Sequence, residues 1–131
     1  MTAARAHSLP SAIDLVCTAY RGDQGLSALR EECEGGKGLG FNGKQCIHPS
    51  QVDVVHEVFA PSRGELEWAV RIMVADEVAK DMGKGAWGLD GKMVDAPVIG
   101  KARALVKRGE ACGMAGLLEE FRGTLKDTRP E

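Results

Sequence analysis

The sequence lacks a long hydrophobic run, an excess of charge of either sign and a recognisable leader. Its formal net charge is −2 over 131 residues, so electrostatics give no reason to expect binding to nucleic acid or to an anionic membrane surface. No apolar run approaches the roughly 18 residues of a membrane-spanning helix. Residues 1–16 lack the basic start and apolar stretch of a signal peptide. We therefore expect neither a nucleic acid nor a membrane as a partner.

Paired cysteine motifs are also missing. The four cysteines, Cys17, Cys33, Cys46 and Cys112, are far apart and form no CxxC pair. This spacing argues against a zinc site or a dithiol redox motif, and it is typical of a reducing compartment. We therefore expect an intracellular protein, either cytoplasmic or mitochondrial.

Glycine is abundant, with 17 residues, and one glycine cluster nearly spells a phosphate-binding loop. That loop has a glycine, four further residues, a Gly-Lys pair and then Ser or Thr. Here Gly38 and the pair Gly43-Lys44 have the required spacing, but Gln45 stands where Ser or Thr would hold magnesium. A phosphate-binding loop also follows a strand and opens a helix, whereas this one follows a predicted helix and opens a predicted strand. The pattern therefore predicts a tight turn at a sheet edge and not a nucleotide site.

The first half of the chain has a strand–helix–strand–helix rhythm. Ala12–Tyr20 is a short apolar run bounded by Pro10 and Gly22, which predicts a strand buried on both faces of a parallel sheet. A helix with apolar residues at helical spacing follows, and the glycines end it. Lys44–His48 is predicted as a second strand, and Ser50 as the cap of a helix that runs to Phe59. Such alternation indicates an α/β fold.

The second half of the chain predicts a helix, a hairpin and a further helix. The helix begins after Pro61-Ser62, and the hairpin turns at Asp90-Gly91, which is the strongest short hairpin signal in the chain. The next helix is amphipathic and runs to Gly109. Beyond it we expect a short helix and a frayed end. The first helix carries an apolar stripe that predicts core packing: Leu66, Ala69, Val70, Met73, Val74 and Val78.

Several polar residues have two interpretations at this stage. His48 and His56 are eight apart, which suits a metal pair poorly, and His48 at a strand end is better explained by a hydrogen bond to the backbone. Asp14 is either catalytic or a satisfied polar contact, and the second reading is favoured. Three basic residues either are solvated or face a phosphate-bearing ligand: Lys84, Lys92 and Arg103.

Asp95 is the carboxylate of most interest. It follows the hairpin strand Lys-Met-Val and precedes Ala96-Pro97 and a helix. Asp in such a place is commonly the N-cap of the helix, where it accepts a backbone N–H. A catalytic role is the alternative.

The segments "GFNGKQCIHPSQVDVVHEVFAPSRGELEWA" and "GKGAWGLDGKMVDAPVIGKA" resemble citrate lyase beta-subunit-like proteins of the HpcH/HpaI aldolase and citrate lyase superfamily. The resemblance runs from about Ala3 to about Val106. It implies the C-terminal part of a TIM (β/α)8 barrel followed by a helix–hairpin–helix lid. On this reading residues 1–60 are the last strand–helix units of an incomplete barrel, 61–109 are the lid, and 110–131 are a tail.

The resemblance also implies a chemistry. Relatives are magnesium-dependent carbon–carbon lyases that act on CoA thioesters through an enolate, as malyl-CoA and citramalyl-CoA lyases or malate-synthase-like enzymes. It implies that Asp95 is the catalytic acid/base and that Ile47, His48 and Pro49 lie by the CoA ester. It further implies a homo-oligomer, a trimer, in which each lid covers a neighbouring subunit. The magnesium ligands of the family lie on earlier barrel strands, so we expect no metal ligand in this chain.

The length of the chain departs from the family. A complete barrel needs roughly 250 residues, and only two buried-strand candidates precede the hairpin. Relatives also carry aspartates after the seventh strand, where this chain reads Ala19-Tyr20-Arg21-Gly22-Asp23. We therefore expect a fragment or short form of such a lyase. The alternatives are a non-catalytic module that assembles with full-length subunits and an α/β domain that binds a CoA-like ligand.

Overall fold

The computed structural model describes all residues, 1–131, and it is a mostly helical α/β structure. The chain forms two compact units, which are Met1–Ala60 (unit 1) and Pro61–Glu131 (unit 2). None of the helices combines the length and the apolar character needed to cross a membrane.

Unit 1 contains three α-helices, one short 3-10 helix and a pair of very short strands. In chain order its elements are α1 (Thr2–Ala6), β1 (Ile13–Asp14), α2 (Gly22–Gly38), β2 (Gly43–Lys44), the 3-10 helix Pro49–Gln51 and α3 (Val52–Phe59). The two strands are parallel, with Ile13 opposite Gly43 and Asp14 opposite Lys44. The strand–helix–strand–helix order predicted from the sequence is therefore confirmed.

The predicted length and burial of the strands are wrong. The run Ala12–Tyr20 contributes only Ile13–Asp14 as a strand, and the side chains of Ile13 and Leu15 are 65% and 77% exposed. The second strand is Gly43–Lys44 instead of Lys44–His48. The physical reason is the absence of further partners: each strand pairs with the other alone, so the rest of the run has no ladder to join.

The core of unit 1 lies between α2 and α3. Its buried residues are Cys17, Leu29, Cys33, Val55 and Phe59. Two of these, Leu29 and Cys33, lie on the apolar face predicted for α2. The predicted cap at Ser50 is wrong, because α3 begins at Val52 after the 3-10 helix, whose N-cap is His48.

Unit 2 contains three helices and a hairpin. Its elements are α4 (Arg63–Asp81), β3 (Trp87–Leu89), β4 (Lys92–Val94), α5 (Ala96–Ala111) and α6 (Ala115–Leu125). Helix α4 begins with a capping box, in which the Glu65 N–H donates to the Ser62 Oγ and the Ser62 N–H donates to the Glu65 carboxylate. Its predicted stripe packs in the core, where Leu66, Ala69 and Val70 are buried and Met73 and Val74 pack at the edge.

The hairpin predicted at Asp90-Gly91 is present. Strands β3 and β4 are antiparallel, with Trp87 opposite Val94. Asp90 and Gly91 have φ values of 52° and 70°, the left-handed pair that a tight two-residue turn needs. The Arg71 guanidinium donates to both oxygens of Asp90 at 2.6 and 2.8 Å, which ties the turn to α4.

The short helix expected beyond Gly109 is present as α6. Helix α6 buries Leu118 and Phe121 in the same core as α4 and α5, because these two residues are three apart and share one helix face. The last residues, expected to be frayed, also have partners: the Glu131 N–H donates to the Gly88 carbonyl at 2.8 Å, and the Lys84 ammonium donates to the Glu131 carbonyl oxygen at 3.2 Å.

Candidate functional site

The segment Ile47-His48-Pro49 follows β2 and lies on the surface of unit 1. Ile47 is exposed, and its N–H donates to the side-chain oxygen of Gln51 at 2.9 Å. Pro49 occupies the first turn of the 3-10 helix, where its missing N–H costs no hydrogen bond. The three predicted residues therefore form one continuous exposed corner at the carboxyl end of β2.

His48 is held in a defined orientation. Its Nδ1 accepts the Ser50 N–H at 3.2 Å and lies 2.8 Å from the Ser50 Oγ, so the predicted bond between His48 and the backbone is confirmed. Its ring stacks on Tyr20, with centroids 5.1 Å apart and 25° between the ring planes. Because an Nδ1 that accepts a backbone N–H carries no proton, neutral His48 has its proton on Nε2, which is a donor.

Gln51 joins the ends of the two strands and was not singled out by the sequence. It is fully buried, and its side-chain nitrogen donates to the Cys17 carbonyl at 2.9 Å and the Ala19 carbonyl at 3.4 Å. Its side-chain oxygen accepts from Ile47. A buried amide requires such partners, so Gln51 fixes the corner at Ile47 to the segment that follows β1.

Arg21 and Tyr20 complete this corner, and sequence reasoning missed their role. The Arg21 Nε donates to the Tyr20 hydroxyl at 3.3 Å, and the guanidinium carbon lies 5.4 Å from the centre of the Tyr20 ring. No local pattern in the sequence signals this contact. The corner thus has an aromatic stack, an exposed cation and an imidazole donor.

Asp14 and Lys44 form an ion pair at the paired strands. The Lys44 ammonium lies 2.9 Å from an Asp14 oxygen and 3.0 Å from a Glu32 oxygen, and its side chain is only 3% exposed. The hydrogen bond from Lys44 holds the pKa of Asp14 below its ordinary value. Burial alone lowers the pKa of Lys44, but the two carboxylates outweigh it, so the net shift is upward. Asp14 is therefore the satisfied polar contact that was favoured, and Lys44 makes a structural pair.

The side chains of this chain do not fit a magnesium ion. Magnesium binds an octahedron of oxygens, and no three His, Cys, Asp or Glu side chains lie close enough together to hold a metal ion. Asp14 and Glu32 do approach one another, but the Lys44 ammonium lies against both of them. His48 and His56 form no such group either.

Asp95 lies in unit 2, at the junction of β4 and α5. It is the N-cap of α5, and its Oδ1 accepts the Val98 N–H at 3.3 Å. The second oxygen, Oδ2, has no hydrogen-bond partner, and the residue is only half-buried. Capping thus orients the carboxylate and leaves one oxygen free for other chemistry.

The three basic residues of unclear role are dispersed in unit 2. Lys84 bonds to Glu131, and Lys92 and Arg103 are exposed on β4 and α5. Lys92 also lines a surface cavity together with Glu131, whose carbonyl oxygen accepts from Lys84, so the two lysines flank the C-terminal carboxylate and do not form an open phosphate site.

Residues 8–114 match the family model of the C–C bond lyase of the TIM-barrel fold. The chain is 41% identical over 116 residues to a (3S)-malyl-CoA thioesterase of Cereibacter sphaeroides, which covers 88% of this chain and 39% of that protein. It is 42% identical over 95 residues to the mitochondrial citramalyl-CoA lyase of Homo sapiens, covering 72% of this chain and 27% of that protein.

Solved structures agree with the sequence relatives. Protein CitE from Mycobacterium tuberculosis, solved in complex with magnesium, acetoacetate and coenzyme A, aligns with a TM-score of 0.60 at 32% identity, over 83% of this chain and 38% of that chain. A citrate lyase from Burkholderia xenovorans has the same fold, with a TM-score of 0.64 at 20% identity, over 89% of this chain and 36% of that chain.

The chain spans about two fifths of the length of the malyl-CoA thioesterase that it matches. The family match covers most of the chain and includes the corner at His48 and the hairpin that leads to Asp95. The chain belongs to the C–C bond lyase family of the TIM-barrel fold.

Proposed function

We propose that this chain supplies the last two strand–helix units and the lid of a CoA-ester carbon–carbon lyase. Unit 1 corresponds to the end of an incomplete barrel, and residues 61–109 of unit 2 form a helix–hairpin–helix lid. The observation that carries the proposal is Asp95: one oxygen is fixed by the cap of α5 and the other is free, on a segment matched by the lyase family.

Asp95 acts as the acid/base at the α-carbon of the CoA thioester. When the carbon–carbon bond breaks, the hydroxyl group on the departing carbon loses its proton and becomes a carbonyl, while the electron pair of the bond stays on the α-carbon as an enolate. Oδ2 of Asp95 delivers that proton to the α-carbon, and in the reverse reaction Oδ2 removes a proton from it. The Val98 N–H holds Oδ1 and so fixes the direction of the reacting oxygen.

Ile47, His48 and Pro49 bind the CoA part of the substrate. Ile47 offers an exposed apolar surface, and the Nε2–H of His48 is a donor whose direction is fixed by Ser50 and Tyr20. The magnesium ion named for the M. tuberculosis protein has no fitting residues in this chain. If the complete enzyme uses it, its ligands come from outside these 131 residues.

The active assembly is a homo-oligomer, a trimer, in which the lid of one subunit covers the site of another. The exposed hairpin supports this reading, because Met93 on β4 is 76% exposed. A lid that closes on another subunit buries such a side chain and brings Asp95 to the substrate.

A second function is an interaction module without activity of its own, which assembles with full-length subunits. The specific observation is the exposure of Ile13 on β1 and of Leu15 directly after it, both of which lack a covering layer. Parallel strands are almost always covered on both faces. Such a module also requires exposed apolar side chains at this strand, but it does not require a free carboxylate at Asp95.

The test is an exchange of segments. Residues 8–114 replace the matching segment of the human citramalyl-CoA lyase, and cleavage of citramalyl-CoA is measured. The proposed function predicts a folded chimera with turnover within about tenfold of the parent enzyme. A folded chimera with no turnover supports the interaction module instead.

A further inference from the structure

We propose that Arg21 is an oxyanion-binding residue of this chain, held in place by the Tyr20–His48 stack. Its ligand is a phosphate of CoA or a carboxylate of the acyl group. The identity of the ligand rests on the proposed function, whereas the oxyanion chemistry rests on the geometry of unit 1.

The donors of Arg21 are largely unused. Three other arginines are paired with carboxylates, in the pairs Arg30–Glu57, Arg63–Glu120 and Arg71–Asp90. Arg21 has no carboxylate partner, and of its nitrogens only Nε bonds within the chain, to the Tyr20 hydroxyl. Its Nη1 and Nη2 atoms keep four N–H donors for a ligand.

The guanidinium is also restrained. Its Nε donates to the Tyr20 hydroxyl and its central carbon lies near the ring of the same residue, and Tyr20 in turn stacks on His48. His48 is fixed by Ser50. The backbone that precedes Arg21 is restrained as well, because the Gln51 side chain donates to the Ala19 carbonyl. An arginine that is ordered before binding loses less side-chain entropy when a ligand arrives.

The chemistry of this arrangement suits an oxyanion. A guanidinium presents two parallel N–H groups that match the two oxygens of a phosphate or carboxylate, and such bonds are about twice as strong as neutral ones. The Nε2–H of His48 is a further donor on the ring that stacks with Tyr20. Both lie at the corner where Ile47 and Pro49 supply apolar surface.

The experiment uses the whole chain of 131 residues. Binding of CoA and of L-malate is measured by calorimetry, with inorganic phosphate as a third probe. The imidazole proton and carbon shifts of His48 are followed by NMR, with His7 and His56 as internal references. The variants are Arg21→Gln and Arg21→Lys, and Arg103→Gln is the matched control on exposed α5.

We expect Arg21→Gln to raise the Kd at least about tenfold for one of the two ligands, because a hydrogen-bonded charge is lost. Arg21→Lys restores binding in part, since it keeps the charge but not the fork, and Arg103→Gln has no effect. If Arg21→Gln loses CoA binding, and inorganic phosphate no longer changes the chemical shifts of His48, the ligand is a phosphate of CoA. Loss of malate binding alone identifies the acyl carboxylate.

Equal affinity of the wild type and Arg21→Gln for both ligands overturns the inference but leaves the proposed function standing if CoA still binds. A wild-type chain that binds none of the three probes also overturns it. Phosphate binding that depends on Arg21, in a chain whose exchanged segment yields no lyase turnover, supports the oxyanion site and removes the proposed function.

Discussion

Lys44 carries a buried ammonium group whose charge is balanced inside unit 1 by Asp14 and Glu32. A single buried charge without partners is costly, whereas a hydrogen-bonded pair is tolerated. The glycine-rich segment before Lys44 therefore delivers a charged residue to a buried position between two strands. It does not leave that charge available for a phosphate.

The Asp14 carboxylate makes the stability of unit 1 depend on pH. The hydrogen bond from Lys44 lowers its pKa below the ordinary value of 3.8. A carboxylate with a lowered pKa stabilises the fold above that ordinary value, and the contribution disappears as pH falls through the folded-state pKa. We expect wild-type unit 1 to lose stability between pH 5 and pH 3 by more than the Asp14→Asn variant does.

The measurement is amide hydrogen exchange in α2, corrected for intrinsic rates at each pH. Tryptophan fluorescence is unsuitable, because Trp68 and Trp87 both lie in unit 2. An identical loss of protection in wild type and Asp14→Asn would show that this pair carries none of the pH dependence.

At the scale of the helix, two glycines of α2 have opposite surroundings. A Cβ at Gly25 would lie 3.0 Å from the Tyr20 carbonyl carbon and 3.1 Å from the Tyr20 nitrogen, while a Cβ at Gly35 would meet nothing. Backbone cannot move aside as a side chain can. Gly25 therefore permits the close approach of α2 to the segment that carries Tyr20.

We expect Gly25→Ala to destabilise unit 1 by about 1–3 kcal/mol, as overpacking does. Gly35→Ala is the matched control in the same helix, and it should stabilise by about 0.5–1 kcal/mol, because alanine restricts the unfolded chain and favours the helix. Urea unfolding followed by hydrogen exchange in α2 measures both. Equal effects of the two substitutions would contradict the close approach at Gly25.

The hairpin contains a buried polar atom without a partner. The Trp87 side chain is buried in β3, and its indole Nε1–H has no hydrogen-bond acceptor. An unsatisfied buried donor costs about 1–3 kcal/mol. This cost offsets part of the stabilisation that the large aromatic surface provides.

We expect Trp87→Phe to change the free energy of unfolding of unit 2 by less than about 1 kcal/mol, because the loss of apolar area is offset by removal of the orphaned donor. Trp87→Ala should cost about 3–5 kcal/mol through the cavity it leaves. Fluorescence of the remaining Trp68 during urea unfolding reports both. A large loss in the phenylalanine variant would mean that the indole N–H has an acceptor in solution.

The elements differ in how far the sequence could predict them, and the reason is the range of the forces involved. The turn at Asp90-Gly91 and the cap at Asp95 depend on neighbouring residues, so local pattern was sufficient. The strand Ala12–Tyr20 depends on partners distant in the chain, and only Gly43–Lys44 pairs with it. Its apolar pattern predicts burial that these 131 residues do not provide.

The corner at His48 shows the same limit. The family motif predicted Ile47, His48 and Pro49, but the contacts that orient them come from Gln51, Tyr20 and Arg21. Gln51 is an ordinary polar residue in sequence, and only the fold reveals that it bonds two carbonyls after β1. Stacking of Tyr20 on His48 joins residues 28 apart, which no local pattern encodes.

At the scale of the whole molecule, each unit has its own core, and five of the eight large apolar side chains that remain exposed lie in unit 1. Leu9, Ile13, Leu15, Leu39 and Ile47 are all exposed there. Exposed apolar side chains of this kind are available to be covered by further chain or by another subunit. This distribution fits a chain that completes a larger barrel, as the proposed function requires.

The proposed function assigns Asp95 a dual role, as helix cap and as acid/base, and turnover of the exchanged-segment enzyme tests that role most directly. Asp95→Asn is introduced into the chimera that carries residues 8–114, and citramalyl-CoA cleavage and thermal unfolding are measured together. Asn caps a helix as well as Asp does, so the melting temperature should not change. Loss of the proton-transferring oxygen should lower kcat by at least about a hundredfold. Turnover within a few fold of the unsubstituted chimera would contradict the catalytic role and leave Asp95 as a helix cap alone.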